Sequence, residues 1–289
     1  MMRWILVLFP LLTFAQGPVD GFFKGKGNAD IATGLGKNRS STYTGHPDST
    51  YNIPFSNTQL NIFAQYGISD NLDAVFNIPF VFGSQENKFQ DVRLHLKYRA
   101  LHIDKPHFKW SFIAAGGISF PASDYQPNVS GAVGRREKKA PLQLIAQLKL
   151  RNGLFFNVTG TYNLRWDEID PALYPALQSA ESELLEQTPQ DYYEWLGRIG
   201  LARKKHFFEL FLHFQKSRGG INFKQGEIQP AQLFAVNFLK LGGTYYFGER
   251  ANGIALNISY ILPQAKRNIG NIFFAGVSFI IKHRRDENN

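Results

Sequence analysis

The sequence predicts an all-β fold: a closed antiparallel transmembrane β-barrel of about twelve strands, with short periplasmic turns and long extracellular loops. Three observations carry that prediction. Apolar and polar residues alternate with period two through segments of about ten residues, short and long connections alternate between those segments, and large aromatic residues gather at segment ends. The segment 90–102, QDVRLHLKYRALH, shows the alternation most plainly. Asp91, Arg93, His95, Lys97 and Arg99 take every second position, with Val92, Leu94, Leu96, Tyr98 and Ala100 between them. A helix would scatter these charges around its axis, whereas a strand puts them on one face and the apolar residues on the other. One face requires water and the other an apolar medium.

The chain has 289 residues, a net charge of +9 and no cysteine. It holds 26 phenylalanines, 12 tyrosines and 4 tryptophans, yet its mean hydropathy is slightly negative. Such a surplus of aromatics in a chain that is not apolar on average points to aromatic surface placed at specific positions. Arg3, the apolar run 4–12 and Ala15 read as a secretory signal peptide spanning 1–15. The run falls short of the roughly 20 residues of a spanning helix, and no cysteine offers a lipid attachment or a disulfide. Residues 16–289 are expected to form a single barrel domain in the outer membrane of a Gram-negative bacterium.

The strands follow in order. The first is read in 28–36, NADIATGLG. In 60–68, Leu60, Ile62, Ala64 and Tyr66 oppose Asn61, Phe63 and Gln65; in 72–82, Leu72, Ala74, Phe76, Ile78, Phe80 and Phe82 oppose Asp73, Val75, Asn77, Pro79 and Val81. The segments 90–102 and 108–120 come next. In 142–150, Leu142, Leu144, Ala146, Leu148 and Leu150 oppose Gln143, Ile145, Gln147 and Lys149; in 156–166, Phe156, Val158, Tyr162, Leu164 and Trp166 oppose Asn157, Thr159, Thr161, Asn163 and Arg165. The same rhythm returns at 192–203, 207–215, 234–247, 254–262 and 272–282.

The connections 69–71, 102–107, 151–153, 203–206 and 247–253 are short, and those at 37–56, 83–88, 121–141, 167–190, 217–232 and 263–271 are mostly long. A barrel with an even strand count and both termini in the periplasm produces this alternation. A soluble β-sandwich also uses many short strands, but the aromatics at the strand ends (Phe108, Phe120, Trp166, Tyr193, Trp195, Tyr245, Phe247, Tyr260) are placed as interfacial girdles. An open edge cannot persist in hydrocarbon, so the sheet must close.

Parity sorts the inward charges. Arg93, Lys97, Arg99, Lys109, Lys149, Arg151, Arg165, Arg198, Lys240 and Lys282 face in, against Asp73, Asp91, Glu194 and Glu209. Rings of cations concentrate anions. The expected function is therefore an outer-membrane channel for passive or facilitated uptake of small organic solutes, anionic or aromatic. Its pore lining is expected from Arg93, His95, Lys97, Arg99, Arg198, Lys240, His213 and Glu194, with Arg93, His95, Lys97, Arg198 and Lys240 at the constriction. The alternative is a non-conducting structural or partner-docking barrel whose lumen is plugged by charge pairs, such as Asp73 with Lys97 or Arg99. A third reading, a lipid hydrolase using His95 or His213 with Ser111 or Ser259, has no recognisable nucleophile setting. No catalytic residue, metal site or cofactor is expected.

The remaining signals have ordinary readings. The basic run 134–139, GRREKK, is expected in an outer loop against lipopolysaccharide phosphates or solvent, and not against nucleic acid. Outer-membrane lipids and small organic solutes are the expected partners. The stretch 171–189 has helix-forming composition and reads as a short surface helix or an acidic lid over the lumen. The glycine-rich 21–30, GFFKGKGNAD, lacks the strand–loop–helix context of a phosphate loop.

The stretches GFFKGKGNADIATGLGKNRSSTYTG, LNIFAQYGISDNLDAVFNIPFVF and FQDVRLHLKY resemble the outer-membrane β-barrel transporter family of the phenol-degradation MetA-pathway type. Gly67-Ile68-Ser69-Asp70-Asn71-Leu72 matches that family's turn, Ile78-Pro79-Phe80 its strand end, and Asp91-Val92 with Lys97-Tyr98 the strand that follows, although Gln90 stands where the family carries glycine. The resemblance covers about residues 21–120. It implies a barrel that takes up small organic compounds and assigns no site residue.

Overall fold

The computed structural model describes residues 19–44, 50–52, 54–84, 86–127, 134–174, 183, 186–221, 229–249, 252–263 and 269–284. The signal peptide read in 1–15 lies outside them. Among the described residues there are fourteen strands: β1 (Ala29–Thr44), β2 (Thr50–Tyr51), β3 (Phe55–Ser69), β4 (Leu72–Phe82), β5 (Asn87–Phe89), β6 (Asp91–Asp104), β7 (Phe108–Pro121), β8 (Lys139–Leu150), β9 (Leu154–Arg165), β10 (Tyr192–Ala202), β11 (His206–Ser217), β12 (Phe238–Gly248), β13 (Asn252–Pro263) and β14 (Ile269–His283). Each long strand pairs antiparallel with its neighbours in sequence, and β14 returns to β1 from Ala29↔His283 to Thr44↔Ile269, which closes a 12-strand barrel. The short β2 and β5 extend the outer ends of β1 and β4.

The two faces sort as the alternation requires. Leu96 is 54% exposed, Leu144 56% and Ile281 54%, while Lys97, Asp73 and Thr244 are almost wholly buried. Apolar side chains outside and polar ones inside invert the arrangement of a soluble protein, and a lipid-facing band demands that inversion. Asn157, Thr159, Thr161 and Asn163 on β9 and Gln147 on β8 all point inward and are buried. This closed barrel with its apolar outer band is an outer-membrane β-barrel.

Three details depart from the sequence reading. First, β1 runs to Thr44, well beyond residue 36, because its outer part is polar on both faces and carries no alternation; Asn38 there donates to Asn57 across the pair at 2.8 Å. Second, β6 carries a bulge between Arg99 and Leu101, so that Ala100 is the extra residue and Leu101 and Ile103 take the lipid side. Third, the described part of 171–189 begins with a 3-10 turn at Pro171–Leu173, capped by Asp170, and Tyr174 is buried against Gln232, to which its hydroxyl donates at 2.7 Å. Residues 175–182 and 184–185 of that stretch lie outside the described residues.

An Arg at residue 144, halfway along β8 on the lipid face, is expected to cost about 2–4 kcal/mol of folding free energy in a bilayer. Urea titration of Leu144→Arg folding into vesicles, beside a polar substitution of inward Gln143, checks this; equal effects at both positions would contradict the assignment of faces.

Candidate functional site

The periplasmic half of the barrel interior is filled by the chain's own N-terminal segment, residues 19–28, which precedes β1. Its centre is Lys97 on β6. The Lys97 ammonium has no solvent exposure and donates to the Asp20 carboxylate at 3.0 Å, to the Asp20 carbonyl at 3.2 Å and to the Phe22 carbonyl, with Asp73 of β4 at 3.8 Å. Gln65 of β3 joins the same knot, donating to the Phe22 carbonyl at 2.9 Å and to Asp73 at 2.6 Å, and the Lys24 backbone N–H donates to Asp73 at 3.0 Å. A buried ammonium is tolerable only when paired and hydrogen-bonded, and here the partners come from both the wall and the segment.

Apolar contacts complete the filling. Phe22 lies edge-on to Phe155 of β9 and Phe207 of β11, with centroids 5.1 and 5.7 Å away, and those two rings stack at 5.3 Å. Val19 packs with Ile113, Ala115 and Ile145, and Phe23 packs against that cluster while lying 4.2 Å from the Arg99 guanidinium and 4.7 Å from the Lys97 ammonium. On the opposite wall Ala32, Tyr246, Ala255 and Ile280 form a second cluster with Phe63 and Phe207. The segment leaves the lumen through a glycine loop. Gly25 and Gly27 have φ near +80°, at 81° and 78°, and Gly27 donates to the Gly67 carbonyl at 2.8 Å. A Cβ on Gly67 would stand 1.9 Å from the Gly25 carbonyl oxygen, so the approach requires glycine there.

Above this filling lies a cavity of about 440 Å³, with Val19 at its base and Arg135, Glu137 and Val236 at its outer end. Arg93, His95, Arg198, His213, Lys240 and Glu194 all line it. Lys97 and Arg99, expected in the same lining, lie outside it, covered by residues 19–28. His213 Nε2 stands 3.7 Å from Glu194, whereas Arg93, Arg198 and Lys240 form no ion pair among the described residues. Several buried polar atoms on the wall have no hydrogen-bond partner among the described residues: Arg93 Nε, both ring nitrogens of His95, Arg198 Nη2, Ser119 Oγ and Asn163 Nδ2. Leu196, Phe211, Val236 and Phe238 supply an apolar wall. A second cavity of about 200 Å³ shares Gln90, Arg93 and Lys240 with the first and extends to Asn61, Asn77 and Ser259.

The mouth is framed by loops. The basic run 134–139, expected to face lipopolysaccharide or solvent, instead turns its alternate side chains inward. Arg135 donates to the carbonyls of Gln232 and Phe234 at 3.2 and 3.0 Å, and Glu137 pairs with Lys139 at 2.7 Å and Arg135 at 3.2 Å. Burial alone would raise Glu137, yet Lys139, Arg135 and Arg165 hold its carboxyl well below the usual range. Tyr125 donates to Asp91 and accepts the Arg136 N–H at 2.9 Å, which ties the loop after β7 to the start of β6.

Glu137, Lys139, Tyr192, Phe211 and Phe238 were absent from the sequence-derived lining, although strand parity assigns the last four of them inward. The filling segment itself was also missed. Its signal was indirect: Ile113, Ile145, Phe155, Phe207 and Tyr246 are apolar or aromatic residues on an otherwise polar face, all in the periplasmic halves of their strands. The serine–histidine pairs considered for hydrolysis do not form. Ser111 instead lies 2.9 Å from His102 Nδ1, and nearby Asp104 is engaged by Lys109 and Arg151.

No protein-family model and no curated protein matches the sequence. Among solved structures, the chain is similar to an outer-membrane channel from Pseudomonas putida F1, with a TM-score of 0.65 and 13% identity over 92% of this chain and 100% of that one. It is also similar to the NanC porin (TM-score 0.52, 10% identity, 86% of this chain and 98% of that one). The KdgM porin in complex with disordered oligogalacturonate follows at TM-score 0.50 and 6% identity, over 88% of this chain and 99% of that one. At these identities the likeness is one of fold.

Lys97→Met removes the cation while leaving Asp20 and Asp73 in place, and is expected to destabilise the closed arrangement by about 3–5 kcal/mol. Hydrogen exchange of residues 19–28 in the folded protein reads this directly: the amides lose protection in the variant, and unchanged protection would show that Lys97 does not hold the segment.

Proposed function

We propose that the chain is an outer-membrane channel for passive or facilitated uptake of small organic solutes, with a preference for anions that carry an apolar part. The observation that carries the proposal is the convergence of Arg93, His95, Arg198 and Lys240 on one cavity, where buried nitrogens of Arg93, His95 and Arg198 have no hydrogen-bond partner among the described residues and Leu196, Phe211 and Phe238 belong to the same lining. Buried donors without partners are costly, and cations left unpaired in a low-dielectric lumen attract anions strongly. A carboxylate on a small apolar body meets the cationic and the apolar groups of this lining at once. The structural neighbours support a channel role, being described as an outer-membrane channel and as porins, one of them holding an oligogalacturonate.

The solute enters from the extracellular side, where the cavity reaches the loops, and leaves toward the periplasm past residues 19–28. Passage therefore requires that segment to shift. If it stays in place during solute exposure, the barrel is a non-conducting receptor or docking element, the second reading that the filled lumen favours.

Planar-bilayer recording under a salt gradient tests the preference. Wild-type currents are expected to be anion-selective, and Arg93→Glu combined with Arg198→Glu is expected to reverse the sign of the reversal potential. Unchanged selectivity in a folded, inserted double variant would remove these residues from the solute path.

A further inference from the structure

We infer that the periplasmic rim carries a binding surface for anionic phospholipid headgroups of the inner leaflet. Three consecutive periplasmic turns, β6–β7, β8–β9 and β10–β11, carry Lys105, Arg151, Arg203, Lys204 and Lys205, with Lys109 at the start of β7. The turns are stitched into one surface. Arg151 donates to the Lys105 carbonyl at 2.8 Å and to the Pro106 carbonyl at 3.2 Å. The Ala202 N–H donates to the Gly153 carbonyl at 2.8 Å.

Carboxylates along this arc are too few to neutralise it. Lys109 and Arg151 share Asp104, and Lys205 pairs with Glu249 of the next turn. Lys105, Arg203 and Lys204 are exposed and have no acidic partner among the described residues. The β3–β4 turn differs, carrying Asp70, which accepts the Lys26 N–H at 3.1 Å.

The height of the arc selects the partner. Ile103, Phe156 and Phe208 are exposed on the lipid face within a few residues of these turns, and His206 meets the Tyr245 hydroxyl at 2.8 Å in the interfacial aromatic zone. Cations at that level stand beside phosphodiester groups, and a flexible lysine or arginine there satisfies both its apolar stem and its charged head. Each such cation near an anionic surface is worth roughly a fivefold change in binding.

Native mass spectrometry of the full-length, folded protein tests this, with phosphatidylglycerol and phosphatidylcholine of identical acyl chains as probes. The wild type is expected to retain phosphatidylglycerol at least several-fold better, and Lys105→Gln, Arg203→Gln and Lys204→Gln together to abolish the difference while heat-modifiable gel mobility confirms an intact barrel. Equal retention of the two lipids by the wild type, or a preference that survives the triple variant, overturns the proposal. Displacement of phosphatidylglycerol by an equal concentration of glycerophosphate would assign the surface to a soluble phosphate and would overturn it as well.

Discussion

The interior of this barrel is organised around one buried ammonium. Lys97 lies inside a wall of inward polar residues, has no contact with water, and finds its counter-charges on two different parts of the chain: Asp73 from the adjoining strand and Asp20 from the segment that precedes β1. A buried ammonium shared between the two carboxylates ties wall and segment energetically. The carbonyls of Asp20 and Phe22 accept hydrogen bonds from its remaining protons, which holds the backbone so that Phe22 meets Phe155 while Phe23 meets Arg99. Without that knot, the apolar residues at the periplasmic ends of β7, β8, β9 and β11 would line a watery lumen.

This constraint divides the barrel by depth. Below Arg198 the interior packs like a protein core, with Val19, Ile113, Ile145, Phe22, Phe155 and Phe207 in contact. Above it the interior stays open and cationic, and the loops around the mouth are braced by Glu137, Lys139 and Arg135 without covering the cavity wall. A barrel of this strand number lies between the eight strands whose side chains fill the interior and the sixteen that leave a wide channel. The chain reaches the intermediate case by using its own N-terminal segment as filler in one half only.

Much of this was legible before the structure. Alternation of period two set the strands and their faces, because a one-residue slip in any strand would put charges into lipid. The same parity placed Arg93, His95, Arg198, His213, Lys240 and Glu194 inward, and pairing β4 with β6 brought Asp73 to Lys97. The polar outer stretch of β1 was not legible, since it emerges from the membrane and needs no apolar face. Residues 19–28 were not legible either, for they have no periodicity: their contacts depend on side chains from strands far apart in sequence. The bulge after Arg99 is a backbone adjustment that the residue pattern does not announce.

The central claim is that residues 19–28 close a cationic channel that is otherwise open, and deleting residues 19–24 tests it most directly. Single-channel recordings of the folded deletion variant should show conductance raised several-fold over the wild type with anion selectivity kept. Conductance equal to that of the wild type, in a variant shown to be inserted, would mean that the segment does not control passage and that the lumen is closed by the wall itself.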